Sequence, residues 1–376
     1  MQKYSKKSLI VFLIITFIAI SYTLIAFYIH DPLQIWHKPF YRNITYSKNI
    51  RESARAMIRD YDFDSFIIGN SLAENTSSKE AENLLSGKFI NLSMSGSSVY
   101  EKKIILDYIF KRKNIKQVVY YLDTGYVSGT KSTKTYPLES YEFLYNDNPF
   151  DDLKIYFADK YFECNLLFKN KEKCIGLPRN MDRPYEWWNE EIFQKRFGGF
   201  DKWIENKEQE QIKDVLKRIS DTPLDVKNYV KNEKYIIDMQ NYLDKYFFSI
   251  IERNPNTKFY IIFPPTSDLS LAILIRDNKY TGYKLREGLK YVVQKSAVYK
   301  NTEVYAFNDM PNIGYIEQYK DLSHFLPEIN TFILKSIAQK EHLLTPDNVD
   351  IYIDKVNTKA LKTDFEYYYN RVKQLE

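Results

Sequence analysis

The fold that the sequence predicts follows from one short segment, residues 65–72, which reads SFIIGNSL. A short apolar run that ends in glycine is typical of a strand buried inside a sheet. Gly69 permits a tight turn, and Ser71 then stands where the chain passes from a strand into a helix. We therefore expect the Ser71 hydroxyl to be exposed at the end of a buried strand.

Four further apolar segments have the same character and predict strands at 88–94, 116–123, 258–263 and 302–308. Segments with helical spacing separate or follow them, at 78–86, 100–113, 234–253, 284–299 and 325–341. Strands that alternate with helices of this length indicate βαβ units and a parallel sheet covered on both faces. We therefore predict an α/β fold, a three-layer doubly wound parallel sheet.

Length and composition limit the possible functions. The chain has 376 residues, which at roughly 150 residues per domain suits one large domain or two modest ones. Lys and Arg exceed Asp and Glu by 54 − 49 = 5, a mild excess that does not favour a nucleic-acid partner. Four His, two Cys and no C-x-x-C motif leave little material for a metal site, and we expect neither metal nor cofactor.

The N-terminus predicts a membrane anchor. Residues 8–29 contain no charged side chain, and as a helix they would extend about 33 Å, enough for a hydrocarbon layer of about 30 Å. A buried core helix of this length would normally show a polar stripe. A cleaved signal peptide is the nearer alternative, but its apolar region is usually shorter and ends in small residues, unlike the sequence at 24–30.

The charges beside the anchor indicate its orientation. Lys3, Lys6 and Lys7 should stay in the cytoplasm under the positive-inside rule, although basic residues also follow the anchor. The rest of the chain is then expected outside the cytoplasmic membrane, in the periplasm or at the cell surface. There Cys164 and Cys174 could form a local disulfide, with two unpaired buried thiols as the open alternative.

The predicted organisation has four parts. They are a cytoplasmic tail and anchor at 1–30, a juxtamembrane linker at 31–60, the α/β domain at 61–342 and a helical tail at 343–376. A stretch at about 130–230, rich in Tyr, Phe and Trp, interrupts the alternation of strands and helices. We interpret it as a mainly helical insertion between the third and fourth strands.

Ligands of doubly wound sheets bind at the carboxyl ends of the strands, and polar residues follow two of the predicted strands. Ser71 follows the first, and a small polar loop that contains Gly96 follows the second. Such a loop lets backbone N–H groups approach a ligand. Simpler roles stay open for both, because Ser71 could only cap the next helix and the loop could be an ordinary βα turn.

Near the C-terminus, Asp321 precedes His324 by three residues, so both side chains can lie on one side of a turn. A carboxylate in that position fixes the imidazole tautomer and supports its positive charge. The remaining histidines compete poorly, since His30 and His37 lie at the membrane boundary and His342 near a helix end.

Taken together, Gly-x-Ser after the first strand, the glycine loop after the second and Asp-x-x-His after the last resemble the SGNH/GDSL hydrolase superfamily. The resemblance covers about residues 62–126 and 255–342. Within the superfamily, the anchor, the long insertion and the FPP sequence at 263–265 are most similar to membrane-anchored cell-envelope proteins. These are the alginate O-acetyltransferase type and the D-alanyl transfer type of teichoic acid modification.

The resemblance implies a catalytic triad with Ser71 as nucleophile, His324 as general base and Asp321 as its orienting partner. Gly96 and the Ser71 N–H would form the oxyanion hole. The superfamily usually adds an Asn side chain after the third strand, but residues 122–126 read LDTGY. An ionised Asp cannot donate a hydrogen bond, so the hole would depend on backbone donors, Thr124 or Asn70. One such donor is worth about 10²- to 10³-fold in rate.

The resemblance further implies acyl transfer, with acetyl as the expected group and a cell-envelope glycan as acceptor. A membrane-bound O-acyltransferase is the implied partner that supplies the acyl group. Trp187 and Trp188, with Trp203, could offer stacking faces for sugar rings, or could pack inside the insertion. Two alternatives remain open: an esterase or deacetylase with the same triad, and an inactive protein that binds glycan or a partner.

Overall fold

The computed structural model describes residues 2–123, 129, 131, 135–226, 232–276 and 281–375. Its single sheet has the strands Ser65–Ile68 (β1), Phe89–Asn91 (β2), Gln117–Tyr121 (β3), Lys258–Phe263 (β4), Thr302–Ala306 (β5) and Leu343–Leu344 (β6). The spatial order is β2-β1-β3-β4-β5-β6. The first five strands run parallel and β6 pairs antiparallel with β5.

Helices fill the intervals between the strands. The α-helices before β4 are Gln2–His30, Ile50–Asp60, Ser78–Leu85, Val99–Phe110, Leu153–Phe157, Asp159–Leu166, Glu172–Ile175, Glu191–Gln194, Phe200–Glu205, Glu210–Asp221, Glu233–Leu243 and Ser249–Arg253. Those after β4 are Asp268–Leu274, Thr281–Ser296, Pro327–Gln339, Val349–Lys362 and Phe365–Lys373. Short 3-10 segments occupy Leu138–Ser140, Glu142–Tyr145 and Ile316–Gln318, and a π-helical turn occupies Asp244–Phe248.

Alternation along the strands places a core on each face of the sheet. On one face, Val119 and Tyr121 of β3 join the same apolar cluster as Ala81 and Ile333 from two helices. On the other face, the Tyr120 ring lies 4.8 Å from the ring of Phe247. The predicted α/β fold with helices on both faces is therefore confirmed, and five of its strands lie where the sequence predicted them.

The expected all-parallel sheet needs one correction. The edge strand β6 is antiparallel and lies at the start of the segment that was predicted to be a helical tail. Its two residues carry too short a pattern for a strand to be recognised from the sequence. The remainder of that segment is helical, as expected.

The chain divides into two compact units. One contains residues 62–135 and 180–376 and holds the whole sheet. The other combines residues 1–61 with 136–179. The predicted insertion at about 130–230 is thus shared between the units, because its first part belongs with the N-terminal residues and its second part, from Asn180, belongs with the sheet.

The unit formed by residues 1–61 and 136–179 begins with the helix Gln2–His30. Its segment Lys6–His30, with a mean hydropathy of 2.7, is long and apolar enough to cross a membrane. Within this unit the Tyr22 hydroxyl donates a hydrogen bond to the Leu166 carbonyl at 3.0 Å. Cys164 and Cys174 are joined by a disulfide, so of the two alternatives that the sequence left open, the paired one is present.

The order of the strands defines where a ligand site can form in the sheet unit. From β1 the chain moves outward to β2, whereas from β3 it moves the opposite way, to β4 and β5. The loops that follow β1 and β3 therefore diverge from a switch point, where ligands of open α/β sheets bind. Ser71 follows β1 and Asp123 follows β3.

Asp123 is held by a buried ion pair. The Lys102 ammonium lies 3.2 Å from its carboxylate and donates to the Tyr121 carbonyl at 2.9 Å. The Lys102 and Asp123 side chains are only 1% and 8% exposed. Asp123 therefore has a structural partner at the position where the resemblance would place a catalytic asparagine.

We expect Lys102→Met to lower the free energy of unfolding by about 3–5 kcal/mol, because it leaves the Asp123 carboxylate buried without its cation. Lys103→Met is the matched control, since Lys103 lies on the same helix and pairs with the partly exposed Asp107. It should cost less than about 1 kcal/mol. Denaturant unfolding of the full chain in detergent measures both values, and equal losses would contradict a structural role for the Lys102 pair.

Candidate active site

Three side chains from two distant parts of the sequence form a hydrogen-bonded series in the sheet unit. The Ser71 hydroxyl lies 2.8 Å from Nε2 of His324, which is 253 residues away in sequence. Nδ1 of the same imidazole lies 2.8 Å and 2.9 Å from the two carboxylate oxygens of Asp321. A hydroxyl, an imidazole and a carboxylate in this order are the groups needed to activate a serine nucleophile.

Close packing at Gly69 fixes the turn that carries Ser71. A Cβ atom at residue 69 would lie 2.6 Å from Cβ of Ala73 and 2.7 Å from Cβ of Tyr121. No larger residue fits without displacing the turn from β3. The Gly69 carbonyl also accepts hydrogen bonds from the Met94 N–H and the Ser97 hydroxyl, at 2.9 Å and 3.1 Å.

The helix predicted at 78–86 is confirmed, and it begins several residues after Ser71. Residues 71–75 form turns, and the helix begins only at Ser78, with Ser77 as its N-cap. The alternative in which Ser71 only caps a helix is therefore excluded. In the turn, the Asn70 side-chain oxygen accepts the Leu72 N–H at 3.0 Å, a local bond that favours turns over helix.

A tight turn brings the side chains of Asp321 and His324 together. One carboxylate oxygen of Asp321 accepts the backbone N–H groups of Ser323 and His324, at 3.0 Å and 2.9 Å. The Lys320 N–H in turn bonds the His324 carbonyl at 3.0 Å. This tight turn holds the carboxylate against the imidazole, as Asp-x-x-His spacing requires.

Lys320 is a buried cation beside the triad that the sequence analysis did not identify. Its ammonium lies 3.2 Å from the Asp321 carboxylate and over the rings of Trp187 and Phe193, at 4.8 Å and 4.3 Å. Only 3% of the residue is exposed. Lys320 directly precedes Asp321, which the sequence analysis identified as a candidate site residue. Nothing in the sequence pattern predicts that this lysine is buried.

The charges around Asp321 keep it ionised. Burial alone would raise its pKa, but His324 and Lys320 outweigh this and hold the pKa well below its usual range. Burial lowers the pKa of Lys320, and the adjacent Asp321 charge opposes that shift. An ionised carboxylate at this place stabilises the imidazolium that forms when His324 accepts a proton.

Trp187 packs against the triad. Its indole N–H donates to the Ser71 carbonyl at 2.8 Å, and its ring lies edge-on to His324 at 5.6 Å. Asn75 orients this part of the chain, since its side-chain oxygen accepts the N–H groups of Trp187 and Trp188. With 7% exposure, Trp187 has little free ring face for a sugar, which favours packing over sugar stacking among the two roles that the sequence left open.

The other predicted aromatic residues differ in exposure. Trp203 is fully buried and donates its indole N–H to the Tyr319 carbonyl, so it belongs to the core. Trp188 is partly exposed and contacts the Phe197 ring at 5.2 Å. Of the predicted stacking residues, Trp188 alone retains a partly open surface.

The predicted oxyanion donors have different surroundings. Gly96 lies on an exposed loop with a φ of 62°, a conformation that favours glycine. Asn70 lines the same pocket as Ser71, and its side-chain oxygen accepts the Leu72 N–H. Thr124 lies outside the described residues. Of the two predicted side-chain donors, Asn70 is the one within the described residues, and it lies in the wall of the pocket.

Ser71 and His324 line a pocket of about 400 Å³. Asp123 also lies in its wall, together with residues that follow β4 and residues of three later helices. The candidate nucleophile and base are thus accessible to a ligand. Within the described ranges, no group of three or more His, Cys, Asp or Glu side chains is placed to bind a metal ion.

Comparison with known proteins adds no assignment. No protein-family model matches this sequence, and a search of curated proteins gave no match either.

We expect Lys320→Met to lower kcat/KM for ester hydrolysis about ten- to a hundredfold, because a charged hydrogen bond to Asp321 is lost. Lys320→Arg should restore part of the rate. Equal losses of rate in Lys320→Met and Lys320→Arg would contradict a positioning role for the Lys320 charge and would indicate that Lys320 acts only in packing.

Proposed function

We propose that this protein is a serine-dependent acyltransferase of the SGNH/GDSL superfamily. The observation that carries the proposal is the unbroken series from the Ser71 hydroxyl through His324 to the Asp321 carboxylate, with the hydroxyl in the wall of a pocket. The strand order and the position of each group after β1 and β5 support the family assignment.

The proposed reaction has two steps. Ser71 Oγ attacks the carbonyl carbon of an acyl ester while its proton passes to Nε2 of His324. The ester C–O bond then breaks, and His324 returns the proton to the departing oxygen. In the second step an acceptor hydroxyl attacks the acyl-serine, again with His324 as base and then acid, which frees Ser71.

The surrounding residues have defined roles in this scheme. Asp321 stays ionised and supports the imidazolium in both steps, and Lys320 positions Asp321. Asn70 and the backbone N–H groups of Ser71 and Gly96 are the proposed donors to the tetrahedral oxyanion. Because Asn70 takes the place of the usual superfamily asparagine, the hole would have a different donor set from that of typical relatives.

The location and partners follow from the N-terminal helix and the resemblance. We propose that Lys6–His30 is a single-pass anchor in the cytoplasmic membrane and that the sheet unit lies outside the cytoplasm. The disulfide Cys164–Cys174 agrees with an oxidising compartment. The proposed acceptor is a cell-envelope glycan hydroxyl, and a membrane-bound O-acyltransferase is the proposed source of acyl groups.

We expect Ser71→Ala to abolish labelling by a fluorophosphonate probe and to lower ester hydrolysis at least about a thousandfold, because the nucleophile is removed. Ser249→Ala is the control and should retain both activities. Ser249 lies in the helix Ser249–Arg253 and is not among the residues that line this pocket. Active-site peptide mapping of the full chain in lipid nanodiscs identifies the labelled residue. Labelling of another residue, or none in the wild type, would refute the assignment.

The same preparation separates transfer from hydrolysis. With an acyl ester and an envelope glycan both present, a transferase yields acylated glycan, which mass spectrometry detects. An esterase yields only the free acid at the same rate with or without the glycan. The second result would replace acyl transfer with ester hydrolysis and would leave the role of Ser71 intact.

A further inference from the structure

The pocket at Ser71 is far larger than an acetyl group needs. Its volume of about 400 Å³ falls in the range of about 300–1,000 Å³ that ligand pockets commonly have. A water molecule takes about 30 Å³ in the liquid, and an acetyl group fills roughly two or three such volumes. Most of the pocket would therefore stay unfilled by an acetyl-serine.

Several polar side chains in the wall have partners within the protein. Thr266 donates its hydroxyl to the Leu322 carbonyl at 2.8 Å, and Asn308 accepts the Thr266 N–H at 2.9 Å. Tyr352 accepts the Asn308 N–H at 3.0 Å, and Asp123 pairs with Lys102. These four groups do not require hydrogen bonds from a ligand, whereas the Nε of Arg286 in the same wall is buried without a hydrogen-bond partner.

Three helices supply an apolar wall. Leu271 and Leu274 come from Asp268–Leu274, Leu285 from Thr281–Ser296 and Val356 from Val349–Lys362. The FPP sequence after β4 adds Phe263 and two prolines. Arg218 and Arg286 also line the pocket, and arginine contributes an alkyl stem as well as a charge. More than half of the lining side chains are apolar.

An apolar ligand gains most from such a site. Burial of each methylene is worth about 0.8 kcal/mol, which corresponds to about fourfold in affinity. The ligand must also be joined to the carbonyl that Ser71 attacks, because Ser71 and His324 lie in the same wall. An acyl chain attached to the ester carbonyl satisfies both conditions, whereas a sugar ring would meet leucines and prolines.

We infer that the pocket binds the chain of a medium-length fatty acyl group, so that the enzyme transfers an apolar acyl group in place of the acetyl group that the resemblance implies. The inference rests on the proposed function of Ser71. The bonds that form and break and the proton transfers are those of the two-step reaction described above. In the acyl-serine intermediate the fatty acyl chain lies in the pocket.

A series of p-nitrophenyl esters tests the inference with the full chain in lipid nanodiscs. Used below their aggregation concentrations, the acetate, butyrate and octanoate esters should give kcat/KM values that rise at least about tenfold from acetate to octanoate. A wild-type enzyme that prefers acetate would overturn the inference.

Two variants on one helix show whether the preference depends on the pocket. Val356→Trp places a large ring in the wall and should lower the octanoate-to-acetate ratio of kcat/KM at least about tenfold. Leu361→Trp is the control, because Leu361 is 56% exposed and lies outside the pocket, and it should keep the wild-type ratio. An unchanged ratio in Val356→Trp would overturn the inference.

A labelling experiment distinguishes the possible failures. A short ethyl phosphonate should label Ser71 in the wild type and in Val356→Trp, which also shows that the variant is folded. Labelling of Ser71 together with acetate preference would refute the acyl-chain inference and leave the proposed function standing. Failure of every phosphonate to label Ser71 in the wild type would refute both.

Discussion

The candidate site depends on one buried carboxylate. Asp321 accepts hydrogen bonds from two backbone N–H groups of its own turn, from the His324 ring and from the Lys320 ammonium. A buried charge without partners would cost several kcal/mol, so these contacts are a condition for the fold as well as for the site. The contacts of Asp321 hold the His324 imidazole in its orientation towards Ser71, and these contacts form when the chain folds.

Much of this structure could be predicted from the sequence, for identifiable reasons. Strands β1 to β5 are short buried runs between helices, and such runs are recognisable from the pattern of apolar residues in the sequence. Ser71 and His324 were found because parallel strands bring their carboxyl ends to one edge, however distant they are in sequence. The two-residue strand β6 left no comparable pattern.

The residues that sequence analysis missed are those whose role depends on tertiary packing. Lys320 would normally be solvated, and only the rings of Trp187 and Phe193 and the Asp321 charge make its burial tolerable. The sequence left two roles open for Trp187, sugar stacking and packing inside the insertion, because an aromatic residue in an insertion carries no sign of which group it will contact. In the structure it bonds the Ser71 carbonyl, so a segment outside the apparent α/β pattern supports the nucleophile.

The contact at Gly69 has a consequence for how this site tolerates sequence change. Because a Cβ atom at this position would lie only 2.6 Å from Cβ of Ala73 and 2.7 Å from Cβ of Tyr121, even one added methyl group acts directly on the turn that carries Ser71. Directed evolution of a new specificity would therefore have to leave this position untouched. Diversity could instead be introduced along the leucine-lined helices, where side-chain size can vary without moving the reacting atoms.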